Sequence, residues 1–213
     1  MKSDTSAFDP VLCKFIYHNF CNPGDICLDP FAGGPERGVM ASERGVKYIG
    51  IDVRHEQIVE NKKYIEEHGI ENIIYYEGDS NVVLESVQMA DIIFTCPPYA
   101  DNEIYSTTKG DISQYEYPDF FPMFCSIMGK AVARLRPGGI CCVVISEIRR
   151  NGCLVGFVPD TINFMTRVLH LDYLNEIILV NSPLACLIQA RKLMKKKMVA
   201  RQHQNILMFK KHR

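Results

Sequence analysis

"DICLDPFAGGPERG", residues 25–38, runs from an apolar, strand-like segment through an Asp-Pro turn and paired glycines into a proline that opens a helix-forming stretch. Gly33 and Gly34 let the backbone turn tightly and approach a ligand. Pro35 suits the first helical position, where its missing N–H costs nothing. A strand that passes directly into such a turn and a helix is the opening unit of an α/β domain.

The same alternation continues on both sides of this stretch. "DICLDPF" (25–31), "KYIGID" (47–52), "NIIYYEG" (72–78), "DIIFT" (91–95), "GICCVVIS" (139–146), "NEIILVN" (175–181) and "QNILMF" (204–209) read as seven strands. Helical periodicity falls between them at 35–43, 56–68, 82–88, 118–135 and 160–169, with a further helix at 10–20 before the first strand. Near-continuous apolar strands joined by helices predict a mostly parallel sheet covered on both faces, Rossmann-like in plan. The last two strands are expected to pair antiparallel, with the basic 182–203 segment as an excursion between them. The expected architecture is one α/β domain over residues 1–213.

Composition fits that reading. The chain has 213 residues, 47% apolar and 23% charged, which is ordinary for a globular domain. No apolar run reaches the roughly 18–20 residues of a membrane span, and "MKSDTSAFDP" lacks the apolar stretch of a signal peptide, so a cytoplasmic protein without membrane contact is expected. Nine cysteines occur without a CxxC pair, several inside apolar strands, and they read as reduced, mostly buried small hydrophobes with no metal role. The net charge of −1 hides an asymmetry: no acid follows Glu176, while Arg191, Lys192, Lys195, Lys196, Lys197 and Arg201 crowd the basic segment. A polyanion would be drawn to that end first.

In such a sheet the ligand site lies at the carboxyl ends of the strands, near the point where strand order reverses. The distinctive motifs fall at those ends. Asp29 closes the first strand. Asp52 ends the second, placed to accept both hydroxyl protons of a ribose. "EGDS" ends the third, with Asp79 set to meet an adenine edge. Together they point to an adenosine-type cofactor. A dinucleotide is less well served: GGPERG puts Pro35 where GxGxxG has its middle glycine, and Glu36 at the helix entrance repels a diphosphate but tolerates a cationic sulfonium.

"LDPFAGG", "YIGID", "EGDS" and "TCPPY", in that order, resemble the class I S-adenosylmethionine-dependent methyltransferases that act on amino groups of DNA bases. "FDP" (8–10) and "HQNILMFKK" (203–211) extend the likeness over nearly the whole chain, and small methylases carried by bacteriophages are similar in "FDPVLC", "DPFAGG" and "FTCPPYAD". The resemblance implies S-adenosylmethionine as cofactor and DNA as partner, in a restriction-protection or regulatory role. Phe8, Asp9 and Pro10 would flank its methionine end; Asp29, Pro30, Phe31, Ala32, Gly33, Gly34 and Cys96 would line it. Asp52, with Val53 beside it, would hold the ribose, and Gly78, Asp79 and Ser80 would face the adenine. The loop departs from the family's FAGSGT at Gly34 and Pro35, and the catalytic tetrad begins with Cys96 where Asp, Asn or Ser is usual.

The tetrad Cys96, Pro97, Pro98 and Tyr99 suits a planar amine. An exocyclic amine is a poor nucleophile because its lone pair is delocalised into the ring. Carbonyl groups at a strand end can accept its hydrogens and favour a pyramidal nitrogen, and prolines bring no competing N–H. Tyr99 would stack on a base swung out of its helix. A thiol accepts only weakly, and Cys96 resembles Ser in size and neutrality, so cytosine N4 and adenine N6 both stay open.

Two segments are candidates for gripping nucleic acid: the polar 99–117 loop, with Tyr105 as a stacking wall, and the basic 190–203 stretch. A chain this small leaves no separate domain for reading a long site, which points to a short recognition sequence, a homodimer, or low specificity. Methylation of an RNA base or of a protein glutamine amide, and a catalytically silent binding module, are the alternatives.

Overall fold

The computed structural model describes residues 8–100, 105–180 and 190–213. Helix α1 (Pro10–Phe20) leads into β1 (Ile26–Asp29), α2 (Glu36–Glu43), β2 (Lys47–Asp52), α3 (His55–Glu67), β3 (Ile73–Glu77), the single turn α4 (Ser80–Val83) and β4 (Ala90–Thr95). Then come α5 (Tyr117–Ala133), β5 (Leu135–Ile145), a short hairpin of β6 (Arg149–Arg150) and β7 (Cys153–Leu154), α6 (Phe157–Asn163), β8 (Asp172–Val180) and β9 (His203–Lys210).

The seven-stranded sheet has the order β3-β2-β1-β4-β5-β9-β8, so the direction of winding reverses between β1 and β4. The five strands from β3 to β5 pair in parallel, whereas β9 runs antiparallel to both β5 and β8. This is the expected plan. Residues 182–189 of the basic excursion lie outside the described residues; 190–194 are helical.

Alternation along the central strands builds two cores. Leu28, Ile93 and Val143 face one side, where they meet Phe120, Phe124 and Met128 of α5 and Phe157 of α6. Their neighbours Cys27, Ile92 and Cys142 face the other, against Ile16 and Tyr17 of α1, Ala41 of α2 and Ile58 of α3. Phe124 lies 5.4 Å from Phe157 in an edge-to-face contact and is fully buried. Truncating it to Ala would cost about 3–5 kcal/mol.

Several expectations are corrected. The helix expected at 82–88 is one turn at Ser80–Val83. The helix expected at 160–169 starts at Phe157 and widens into a π-helical stretch over Phe164–Val168. The β6–β7 hairpin has no counterpart among the expected elements; Asn151 (φ 48°) and Gly152 (φ 86°) form its left-handed turn. β5 starts at Leu135, before the glycine pair, with a register shift opposite Ala90/Ile92. Of the cysteines among the described residues, Cys13, Cys21, Cys27, Cys141 and Cys142 are buried, but Cys153 is exposed.

Candidate cofactor and substrate site

Asp29, the last residue of β1, is fully buried. Its Oδ2 accepts from Arg37 Nε at 2.6 Å and from the Tyr48 hydroxyl at 2.7 Å; its Oδ1 accepts from the Thr95 hydroxyl at 2.6 Å and the Phe31 amide at 3.1 Å. One carboxylate thus ties β1 to α2, β2 and β4 at the switch point. Burial pulls the Arg37 guanidinium down, but the adjacent Asp29 charge outweighs it and holds the group above its ordinary value. Burial also pushes the Tyr48 hydroxyl up, with Asp29 adding to the shift. Asp29 therefore does not line the site as expected; it fixes the floor beneath it.

The turn after β1 is held from both sides. Gly33, at φ 52° with open space where a Cβ would stand, donates its N–H to Asp52 Oδ2 at 2.9 Å, and its carbonyl accepts from Asn61 Nδ2 at 2.7 Å. Asp52 Oδ1 accepts from the Arg54 amide at 2.8 Å, so the carboxylate is aimed before any ligand arrives. The Ser80 hydroxyl donates to the Pro30 carbonyl at 2.6 Å and joins α4 to the same turn.

These elements enclose a cavity of about 500 Å³ at the carboxyl ends of β1, β2 and β4. Of the expected cofactor contacts, Phe8, Asp9, Pro30, Phe31, Gly33 and Gly34 lie on its wall, as do Asp52, Val53, Ser80 and Cys96. The rest of the tetrad, Pro97, Pro98 and Tyr99, continues the same wall. Ala100, which follows, is buried at φ 50°, a conformation uncommon for a non-glycine residue.

Five of the expected cofactor contacts stand off the wall. Besides Asp29, Pro10 is an exposed residue in the first turn of α1, and Ala32 is buried with Asp29. Asp79 caps α4 through Asn81 N at 2.8 Å and is roofed by Gly110, where a Cβ would come within 3.1 Å of the Asp79 Cβ; Gly78 lies beside it, off the wall.

Tyr105, expected to contact nucleic acid, lines the cavity with its ring 5.3 Å from the Arg54 guanidinium carbon. Gly110, Asp111 and Ile112 extend this roof. The remaining expected nucleic-acid contacts stay off the wall. Arg191, Lys192, Lys195, Lys196 and Lys197 are exposed, and Met198 Sδ lies 3.6 Å from where a Cβ of Gly152 would stand, which places the basic stretch beside the β6–β7 hairpin. Arg201 is half-buried and turned to the sheet, its Nη2 3.4 Å from Asn205 Oδ1.

The cavity also contains Glu36, which the GGPERG stretch marked, and further residues that no short motif marked. Glu36 and Arg37 enter from the first turn of α2, Arg54 from the entrance to α3, and Leu179, Val180 and Gln204 from the β8 and β9 ends. Glu36 and Arg37 are legible as the charged pair after the glycine loop. Gln204 has no local signal.

No family model matches the chain. A stretch of 47 residues is 54% identical to the DNA adenine methyltransferase YhdJ of Escherichia coli (strain K12), covering 22% of this chain and 16% of that protein. Over 120 residues the chain is 28% identical to the tRNA (guanine(10)-N2)-dimethyltransferase of Methanothermobacter thermautotrophicus, 56% of this chain and 32% of that one. The chain thus spans a third or less of the length of these curated relatives. Among solved structures, SMU.1697c from Streptococcus mutans in complex with SAH superposes with a TM-score of 0.58 at 14% identity, over 97% of this chain and 99% of that one. The fold is the Rossmann-like class I S-adenosylmethionine-dependent methyltransferase fold.

Proposed function

We propose that this chain is an S-adenosylmethionine-dependent methyltransferase that modifies the exocyclic amino group of a DNA base, adenine N6 or cytosine N4. The observation that carries the proposal is the continuity of one cavity from the Gly33–Asp52 pocket to the Cys96–Tyr99 turn.

The residues present fit the cofactor. A volume of about 500 Å³ is within the range of small-molecule sites. Asp9, Glu36, Asp52 and Asp111 outnumber Arg37 and Arg54 on the wall and favour a cationic ligand over a diphosphate, and Gly33 leaves its backbone open to a close approach. Asp52 would hold the ribose, Phe8 and Asp9 the methionine end, and the 105–112 roof the nucleoside. When bound, S-adenosylmethionine supplies an electrophilic methyl group on a positively charged sulfur.

The tetrad supplies the acceptor side. Pro97 and Pro98 carry no N–H, so the Cys96 and Pro97 carbonyls can accept the amine hydrogens without a competing donor. That orients the nitrogen lone pair toward the cofactor end of the cavity. Tyr99 offers its ring for base stacking, and its phenol is fixed by Gln204. A catalytic thiol adduct is not part of this reading; Cys96 acts through its carbonyl and its small volume.

The 47-residue likeness to a DNA adenine methyltransferase supports DNA and, of the two bases, adenine. RNA is the second reading, favoured by the longer match to a tRNA guanine-N2 enzyme. Both relatives are named for a purine, which supports a base as the acceptor in either polymer.

Two substitutions separate the roles. Tyr99→Ala is expected to abolish methyl transfer while S-adenosylhomocysteine still binds by calorimetry; Asp52→Ala is expected to weaken that binding itself. Unchanged methylation by Y99A would sink the stacking role.

A further inference from the structure

Arg37 is built into the wall of the cavity in a way that its pairing with Asp29 does not exhaust. Its side chain is 5% exposed. Nε donates to Asp29 Oδ2 at 2.6 Å, and Nη2 donates to the Phe31 carbonyl at 2.7 Å and the Ala32 carbonyl at 2.8 Å. A guanidinium has five N–H groups, and these bonds account for the three on Nε and Nη2. No hydrogen bond among the described residues engages Nη1, although the group lines the cavity. The Phe8 ring lies 4.5 Å from the guanidinium carbon and fixes its plane.

Acids flank this cation on the same wall. Asp9 uses Oδ1 to cap α1, accepting from Val11 N at 2.8 Å, and its Oδ2 accepts no hydrogen bond among the described residues. The Glu36 carboxylate extends over the loop, its Oε2 2.5 Å from where a Cβ of Gly34 would stand. A bare anion such as phosphate would be repelled by this pair. A zwitterion would satisfy both signs.

We infer that Arg37 Nη1 binds the α-carboxylate of the cofactor's methionine moiety, with Asp9 and Glu36 receiving its ammonium group, so that the site reads the amino-acid head as well as the adenosine. This rests on the cofactor reading above and assigns its polar end. Arg37 is thus both the partner of Asp29 and a specificity-determining binding residue.

The test is a pair of calorimetric titrations of the whole protein, with S-adenosylmethionine and with decarboxylated S-adenosylmethionine, which keeps the sulfonium and ammonium and lacks only the carboxylate. The expected result is a preference of roughly tenfold to a hundredfold for the carboxylate-bearing compound, the range of a charge-assisted hydrogen bond. Equal affinities would overturn the role of Arg37 and leave the cofactor reading standing; failure of both compounds to bind would overturn the cofactor reading and the inference with it. Arg37→Gln alone strands the buried Asp29 charge, so the variant is D29N combined with R37Q, which neutralises both partners. Loss of the preference in that variant supports the inference, and its persistence would overturn it.

Discussion

The side-chain amide of Gln204 on β9 donates a 2.9 Å hydrogen bond to the phenol oxygen of Tyr99, a residue 105 positions earlier in the chain. Strand β5 lies between β4 and β9 in the sheet, so the antiparallel closing strand reaches across the top of the sheet to steady the ring at the end of the Cys96–Tyr99 turn. Tyr99→Phe and Gln204→Ala each remove this bond and leave the ring. Each is expected to raise the KM for nucleic acid about two- to tenfold, the value of one neutral hydrogen bond. The double variant should be no worse than either single one, which steady-state kinetics would show.

The carboxylate of Asp29 gathers four hydrogen-bond donors in the core of the switch point. Asp29→Ala leaves the Arg37 charge buried without its partner, and a stability loss of about 3–5 kcal/mol is expected in urea unfolding. Thr95→Val removes one of the donors and should cost about 1–2 kcal/mol. A loss below about 1 kcal/mol for D29A would contradict this role for the carboxylate.

Burial pushes the thiols of Cys13, Cys21 and Cys141 from 9.0 up to about 12. Unfolded, they release their protons near pH 9, while the folded chain retains them until about 12. Between those values the unfolded state binds fewer protons, so this stability is whole below about pH 9 and falls as pH rises, by up to about 1.4 kcal/mol per pH unit for each thiol. Urea midpoints at about pH 8 and about pH 10 should show the decline. At about pH 8, thiol reagents should modify exposed Cys153 far faster than these three.

The exposed cations at Lys195, Lys196 and Lys197 sit beside the β6–β7 hairpin rather than in the cavity. If they meet phosphates, replacing all three by Ala should weaken nucleic-acid binding without changing S-adenosylhomocysteine affinity. The slope of log K against log salt should become shallower by about 0.9 for each phosphate no longer neutralised on duplex DNA. An unchanged slope would remove this segment from the binding surface.

Much of this was legible in the sequence because it is local. Each strand that carries a site residue ends where its apolar run ends, and α1 occupies the span read for it, capped by Asp9. The strand endings at Asp52 and Cys96 face one cavity because parallel strands align their carboxyl ends. What the sequence withheld depends on contacts between distant segments. Tyr105 sits in a polar loop that reads as a substrate contact, and only its fold-back onto Arg54 places it on the Asp52 side. Asp29 reads as a cavity residue until Tyr48 and Thr95, on two other strands, close over it. The hairpin around Asn151-Gly152 went unread because its two-residue strands are too short to show a period.

Methyl transfer to an exocyclic amine is read out by incubating the protein with isotopically labelled S-adenosylmethionine and unmodified DNA or RNA, digesting to nucleosides, and identifying the labelled species by mass spectrometry. Label is expected in N6-methyladenine or N4-methylcytosine from DNA, and label on a base amine from RNA alone would select the second reading. Label on a ring carbon, or none in either polymer while S-adenosylhomocysteine still binds, would rule out transfer to a base amine.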